Sequence, residues 1–191
     1  MKFYSGKMKS IIVILLLTSV FNSYAQHDTT NQKMSDPTNT VPKYAGIQKE
    51  GDSKFLLEVM EANREEIQMA DLASQKSTDL NVNSVAATLK NDHQGLLNQL
   101  TELAQRKSVT IPQPDTVKEM ADMKQLTDSK PADFNKNWID VMIKNHQETL
   151  EKLQKAQSTV SDNDLRGWIK NTIPKVENHI AQLTALRQKV K

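Results

Sequence analysis

The sequence predicts an all-α fold: a four-helix bundle made of two antiparallel helical hairpins joined by a long crossover with a short extra helix, the arrangement of ferritin-like folds. Three observations carry this. From Asp52 onward apolar residues recur at spacings of three and four, with no alternating strand pattern. Gly95 and Gly167 are the only glycines after Gly51. Short polar turns couple the helical stretches in pairs, while residues 108–130, with Pro112 and Pro114, form the one long connection.

Residues 1–25 read as a secretory signal peptide. Lys2, Lys7 and Lys9 precede the apolar run "IIVILLLTSV", and Ser23, Tyr24 and Ala25 place small residues before an expected cleavage after Ala25. The run is shorter than the roughly 20 residues a spanning helix needs, which disfavours an uncleaved anchor. Residues 26–51 are polar, with Pro37, Pro42 and Gly46, and read as a flexible linker to a bundle domain at 52–191. The expected location is therefore export, to the periplasm or the outer membrane, with an envelope partner and no membrane span after cleavage.

Charge follows from that cut. The full chain has 25 Lys+Arg against 23 Asp+Glu, and removing the three leader lysines leaves 22 against 23, a net charge of −1. A near-neutral chain without a basic run gives no footprint for nucleic acid. The chain has no cysteine, which excludes disulfides, thiolate metal ligands and a cysteine nucleophile.

The first helix is expected over residues 53–76, capped by Asp52 or Ser53, and the second over 82–107, capped by Asn81 after "STDLN". A short helix is expected near 115–125. The third long helix is expected over 131–158 with Ser129 as cap, and the fourth over 162–190. Pro174 inside the fourth removes a backbone donor to the Lys170 carbonyl; it provides curvature that closes the bundle or room beside a site.

Each long helix places one ionisable residue on its apolar stripe. The first stripe reads Phe55, Val59, Ala62, Glu66, Met69, Ala73, and His93, His146 and His179 hold the equivalent places on the other three. The histidines lie in echoing phrases, "NDHQGLLNQL", "KNHQETLEKL" and "ENHIAQLTAL", each with Leu four and seven residues after His. At about 1.5 Å per residue, all four groups stand roughly 18 to 25 Å from their turns and share one level. Buried without partners they cost several kcal/mol, so they must bind something or satisfy one another.

Three His and one Glu suit a single divalent transition metal such as zinc, iron or manganese. Copper is the softer alternative if the nearby Met60, Met69 and Met142 thioethers take part. The opposing reading is a core hydrogen-bond layer that fixes helix register in a structural or interaction module. Asp92, Asn145 and Asn178, each beside a His, are expected at the rim. No phosphate loop, GxSxG or HExxH occurs, so an enzyme is disfavoured and no catalytic residue is assigned.

These residues resemble a known family. "EEIQMADLA" around Glu66, "LKNDHQGLLNQLTELAQRKSVTIP" around His93, "FNKNWIDVMIKNHQETLEKLQKA" around His146 and "WIKNTIPKVENHIAQL" before His179 are similar to the bacterial domain of unknown function 4142, over residues 52–186. The resemblance implies a ferritin-like bundle, an envelope location and a metal site drawn from Glu66, His93, His146 and His179. It implies no reaction. Di-iron carboxylate bundles carry Glu three residues before His, where this chain has Lys90, Ile143 and Val176, which argues against ferroxidase chemistry.

Overall fold

The computed structural model describes residues 50–112 and 121–190, all within one compact unit that spans 40–191. The expected signal peptide, the expected linker before Glu50 and much of the connection after Pro112 lie outside the described residues. Five helices and no strand occur among those described: α1 (Glu50–Lys76), α2 (Leu80–Arg106), α3 (Ala121–Asp128), α4 (Pro131–Thr159) and α5 (Asn163–Arg187). None is long and apolar enough to cross a membrane.

α1 packs on α2 and α4 on α5, each pair closed by a short turn; α2 then meets α5, and α1 meets α4. The second and third long helices are therefore not the neighbours that a simple up-down-up-down order makes them. Phe134 and Trp138 at the start of α4 share a cluster with Ala73 late in α1 and Val82 early in α2. α4 thus begins at the end of the bundle where α2 begins, about 40 Å of helix rise from where the 27 residues of α2 end.

The core is two apolar clusters. One gathers Leu56, Met60, Leu100, Leu153, Leu165 and Ile169. The other gathers Met69, Leu89, Phe134, Trp138, Met142 and Leu183. Fully burying each large side chain contributes about 1.5 to 3 kcal/mol. Between the clusters lie the buried polar residues Asn63, Glu66, His93, His146 and His179.

The helix ends depart from expectation in four places. α1 starts at Glu50, so Asp52 sits in its first turn rather than capping it. Its buried Oδ2 instead accepts from Ser161 N, Ser161 Oγ and Asp162 N at 2.9, 2.6 and 2.9 Å, tying α1 to the α4–α5 turn. Asp79, not Asn81, caps α2, because its Oδ1 accepts from Asn81 N and Val82 N. Lys130 precedes Pro131 at the head of α4 with no side-chain cap, while Ser129 Oγ donates to Gln125 O behind it. The short helix forms at Ala121–Asp128, a few residues later than expected.

Asp162 caps α5 through Asp164 N and Leu165 N, and Lys107 Nζ bridges Asp162 and Asp164 at 2.9 and 2.8 Å. α2 ends with Ser108 in the left-handed region at φ 56° and Val109 N–H donating to Ala104 O. α5 continues through Pro174 as one helix, with Thr172 Oγ donating to Trp168 O.

Candidate metal centre

The polar layer takes one residue or more from each long helix because each apolar stripe is interrupted at the same level. On α1 the buried face runs Leu56, Val59, Asn63, Glu66, Ala70, Ala73. It is displaced about one position from the expected stripe, so Phe55 and Ala62 lie half-buried at its edge. That displacement brings in Asn63, which the stripe reading missed. Its signal was its place four residues after Val59 and three before Glu66, the i, i+4, i+7 spacing of a buried face.

His93, His146 and His179 come together. Their ring centroids stand 5.2, 5.2 and 5.3 Å apart, and one ring nitrogen from each lies within 4.8 Å of the others. All three are buried, with relative exposures of 4, 1 and 0 %. Glu66 is not in this group: its Oε1 lies 3.6 Å from His146 Nδ1, behind that ring, and its buried Oε2 has no hydrogen-bond partner among the described residues.

The hydrogen bonds fix where the protons sit. Asn63 Nδ2 donates to Val59 O at 2.6 Å, so the Asn63 carbonyl faces His93 and must accept from His93 Nδ1–H at 3.0 Å. Met142 O can only accept, so His146 Nδ1 carries the proton in their 2.8 Å bond. Both rings therefore turn a bare Nε2 lone pair inward, and these two nitrogens stand 3.2 Å apart. His179 is reversed: Nε2–H donates to Asp92 Oδ2 at 2.9 Å, leaving a buried Nδ1 without a hydrogen-bond partner among the described residues.

Electrostatics keep the His93 and His146 rings neutral. Burial first, then the neighbouring His146 and His179 rings, holds His93 well below the ordinary imidazole range. Burial likewise lowers His146 to about 4, against the raising effect of its bond to Met142 O. Burial, reinforced by Glu65 and Asp122, pushes Glu66 up to about 8. Glu66 and His146 are thus both uncharged at neutral pH and form no ion pair despite their approach. Asp122 reaches this side of the layer from α3, where its Oδ2 accepts from Asn145 Nδ2 at 3.1 Å.

Three buried imidazoles, two with bare nitrogens facing at 3.2 Å and the third with a buried Nδ1 left over, are a poor hydrogen-bond network and a good cation site. A water molecule has two protons to give and leaves one nitrogen unmatched. A metal ion can take all three. Nitrogens bound to one ion at 2.0–2.1 Å stand about 3.3 to 3.6 Å apart, so the pair at 3.2 Å is already close to that spacing. Each opposite ring nitrogen is held by an acceptor, as outer partners of metal-binding imidazoles commonly are.

Comparison with known proteins agrees with this architecture. A family model described as "Domain of unknown function (DUF4142)" matches residues 37–186. No curated protein sequence matches the chain. The solved structure of CopM in the Cu(I)-bound form is similar over 72% of this chain and 96% of that chain, with a TM-score of 0.62 and 17% identity. CopM in the apo form gives a TM-score of 0.59 at 18% identity and CopM in the Cu(II)-bound form 0.61 at 17%, over the same shares of the chains. At these identities the likeness is one of fold.

Proposed function

The chain belongs to the DUF4142 family, and from that premise and the ring geometry we propose that it is an exported bundle protein that captures a single metal cation among His93, His146 and His179. The observation that carries the reading is the pair of facing, unprotonated Nε2 atoms of His93 and His146, with His179 Nδ1 buried and without a hydrogen-bond partner among the described residues. A hydrogen-bond layer without a cation leaves those lone pairs unmatched, which makes the purely structural reading the weaker one.

The donor set also bears on the metal. Three imidazoles with no carboxylate among them suit a soft or borderline ion of low coordination number better than ions that favour oxygen ligands. The CopM structures, whose Cu(I)-, Cu(II)- and Ag-bound forms share the fold, support copper or silver over the zinc, iron or manganese that the sequence suggested. The bound ion would be a cargo held by ring nitrogens in an apolar core; among the described residues no nucleophile, base and oxyanion donor set accompanies it, and metal handling in the envelope is the role this favours. An exported, periplasmic or outer-membrane-associated setting fits the expected leader at residues 1–25.

The test is anaerobic titration of metal-free residues 26–191 with Cu(I) against a chromophoric competitor, repeated with Ag(I) and Zn(II). One equivalent is expected to bind tightly, with Cu(I) and Ag(I) preferred over Zn(II). A folded H93A/H146A/H179A variant is expected to lose that equivalent; equal metal content in the two proteins overturns the reading.

A further inference from the structure

We infer that Asp92 is the positioning residue that keeps this site open, by holding His179 in the tautomer whose Nδ1 lone pair points inward. The inference deepens the metal-capture reading and rests on it for its consequence in binding, though not for its consequence in the apo protein.

His93 and His146 share one tautomer, with the proton on Nδ1, and His179 has the other. This asymmetry decides what the layer can do. With its proton on Nδ1, His179 would aim an N–H at the bare nitrogens of its two neighbours and satisfy one of them. The core would then close on itself as an internal hydrogen bond and present too few lone pairs to hold a cation. An acceptor on the far side of the ring prevents this by drawing the proton to Nε2.

Asp92 is that acceptor, and its Oδ2 is the sole hydrogen-bond partner found for the His179 side chain among the described residues. α2 thus serves two rings with adjacent residues. His93 points into the layer as a ligand candidate, and Asp92, about 100° further round the helix, reaches across the α2–α5 contact. His179 itself is fully buried, whereas the Asp92 side chain is 38 % exposed, so its replacement perturbs the ring without opening a core cavity.

The experiment follows the ring protons by 15N–1H correlation of the histidine side chains in metal-free protein, beside Cu(I) titration. Wild-type protein is expected to show two Nδ1–H rings and one Nε2–H ring. D92L, which has no acceptor, is expected to move His179 to the Nδ1–H form, to keep its fold by circular dichroism, and to bind Cu(I) about 10- to 100-fold more weakly. D92N, which retains a carbonyl acceptor, is expected to restore the Nε2–H form and most of the affinity.

An unchanged His179 tautomer in D92L overturns the inference, as does a changed tautomer with unchanged affinity or a D92N that behaves as D92L. Because the tautomers are read without metal, a wild-type protein that shows the two-plus-one pattern yet binds no Cu(I) or Ag(I) refutes the metal-capture reading and leaves the assignment of Asp92's action on the ring standing.

Discussion

Replacing Glu66 by Gln should abolish a fall in stability between pH 6.5 and 8. The folded carboxyl titrates near 8 rather than 4.5, chiefly because burial penalises its charge. Below pH 4.5 it is protonated in both states and costs nothing. Above 4.5 the unfolded chain releases the proton while the folded chain keeps it, so stability falls as pH rises, until the folded group also ionises near 8. At about 1.4 kcal/mol per unit, the whole span is worth at most about 5 kcal/mol. His146 acts with the opposite sign: lowered to about 4 from 6.5, it adds stability as pH rises across that interval, and His93 does likewise. At pH 6.5 the unfolded histidines are still half-protonated, so from there to 8 His93 and His146 add only about 0.4 kcal/mol each, while Glu66 removes roughly 1.6 kcal/mol. Urea denaturation of chelator-treated protein at pH 6.5 and 8 should show a net loss of about 0.8 kcal/mol in wild type and a small gain in E66Q. A parallel decline in both proteins would refute the assignment of a neutral, buried Glu66.

Other consequences are equally direct. Ser108 adopts a backbone conformation that costs an L residue about 1 kcal/mol, so S108G should raise the midpoint of thermal unfolding by a few degrees. Asp52→Ala removes the acceptor of three hydrogen bonds from the α4–α5 turn and should cost about 2 to 4 kcal/mol in urea unfolding; a change below about 1 kcal/mol would show that the tie is incidental. Leu100, fully buried in the core cluster around Leu153, should cost about 2 to 5 kcal/mol when replaced by Ala. A cation at 100 times its dissociation constant should stabilise wild-type protein by about 2.7 kcal/mol and leave the triple His variant unchanged.

Much of the fold was legible because long amphipathic helices advertise themselves through periodicity, and α2 shows this most plainly: Val82, Ala86, Leu89, His93, Leu96, Leu100 and Leu103 are all buried as expected. The two-hairpin order was legible from the lengths of the connections. Helix ends were less so. Asp79, Asn81 and Ser77 are all competent to cap, and which one does depends on how the α1–α2 turn closes. Asp52 looked like a local cap, yet its partners are 109 and 110 residues away. At the site, the three histidines were visible as polar breaks in apolar stripes, and their convergence followed from equal distances to the turns. Glu66 shares their level, but its angular position on α1 sets it behind His146. The tautomers of His93 and His179 depend on contacts between helices, to Asn63 and Asp92, which no periodicity encodes.

The division of the core by the polar layer also separates the two tryptophans. Trp138 lies in the cluster with Phe134 and Leu183, its indole N–H donating to Met69 O at 2.9 Å, while Trp168 lies in the cluster with Leu100 and Leu153. Each half of the bundle therefore carries its own fluorophore. The sequence separations from His146 and His179, eight and eleven residues along the same helices, correspond to about 12 and 16 Å of helix rise. Single W138F and W168F proteins would each report on one half alone. The spread between their emission-monitored unfolding midpoints measures how far the layer insulates one half of the core from the other.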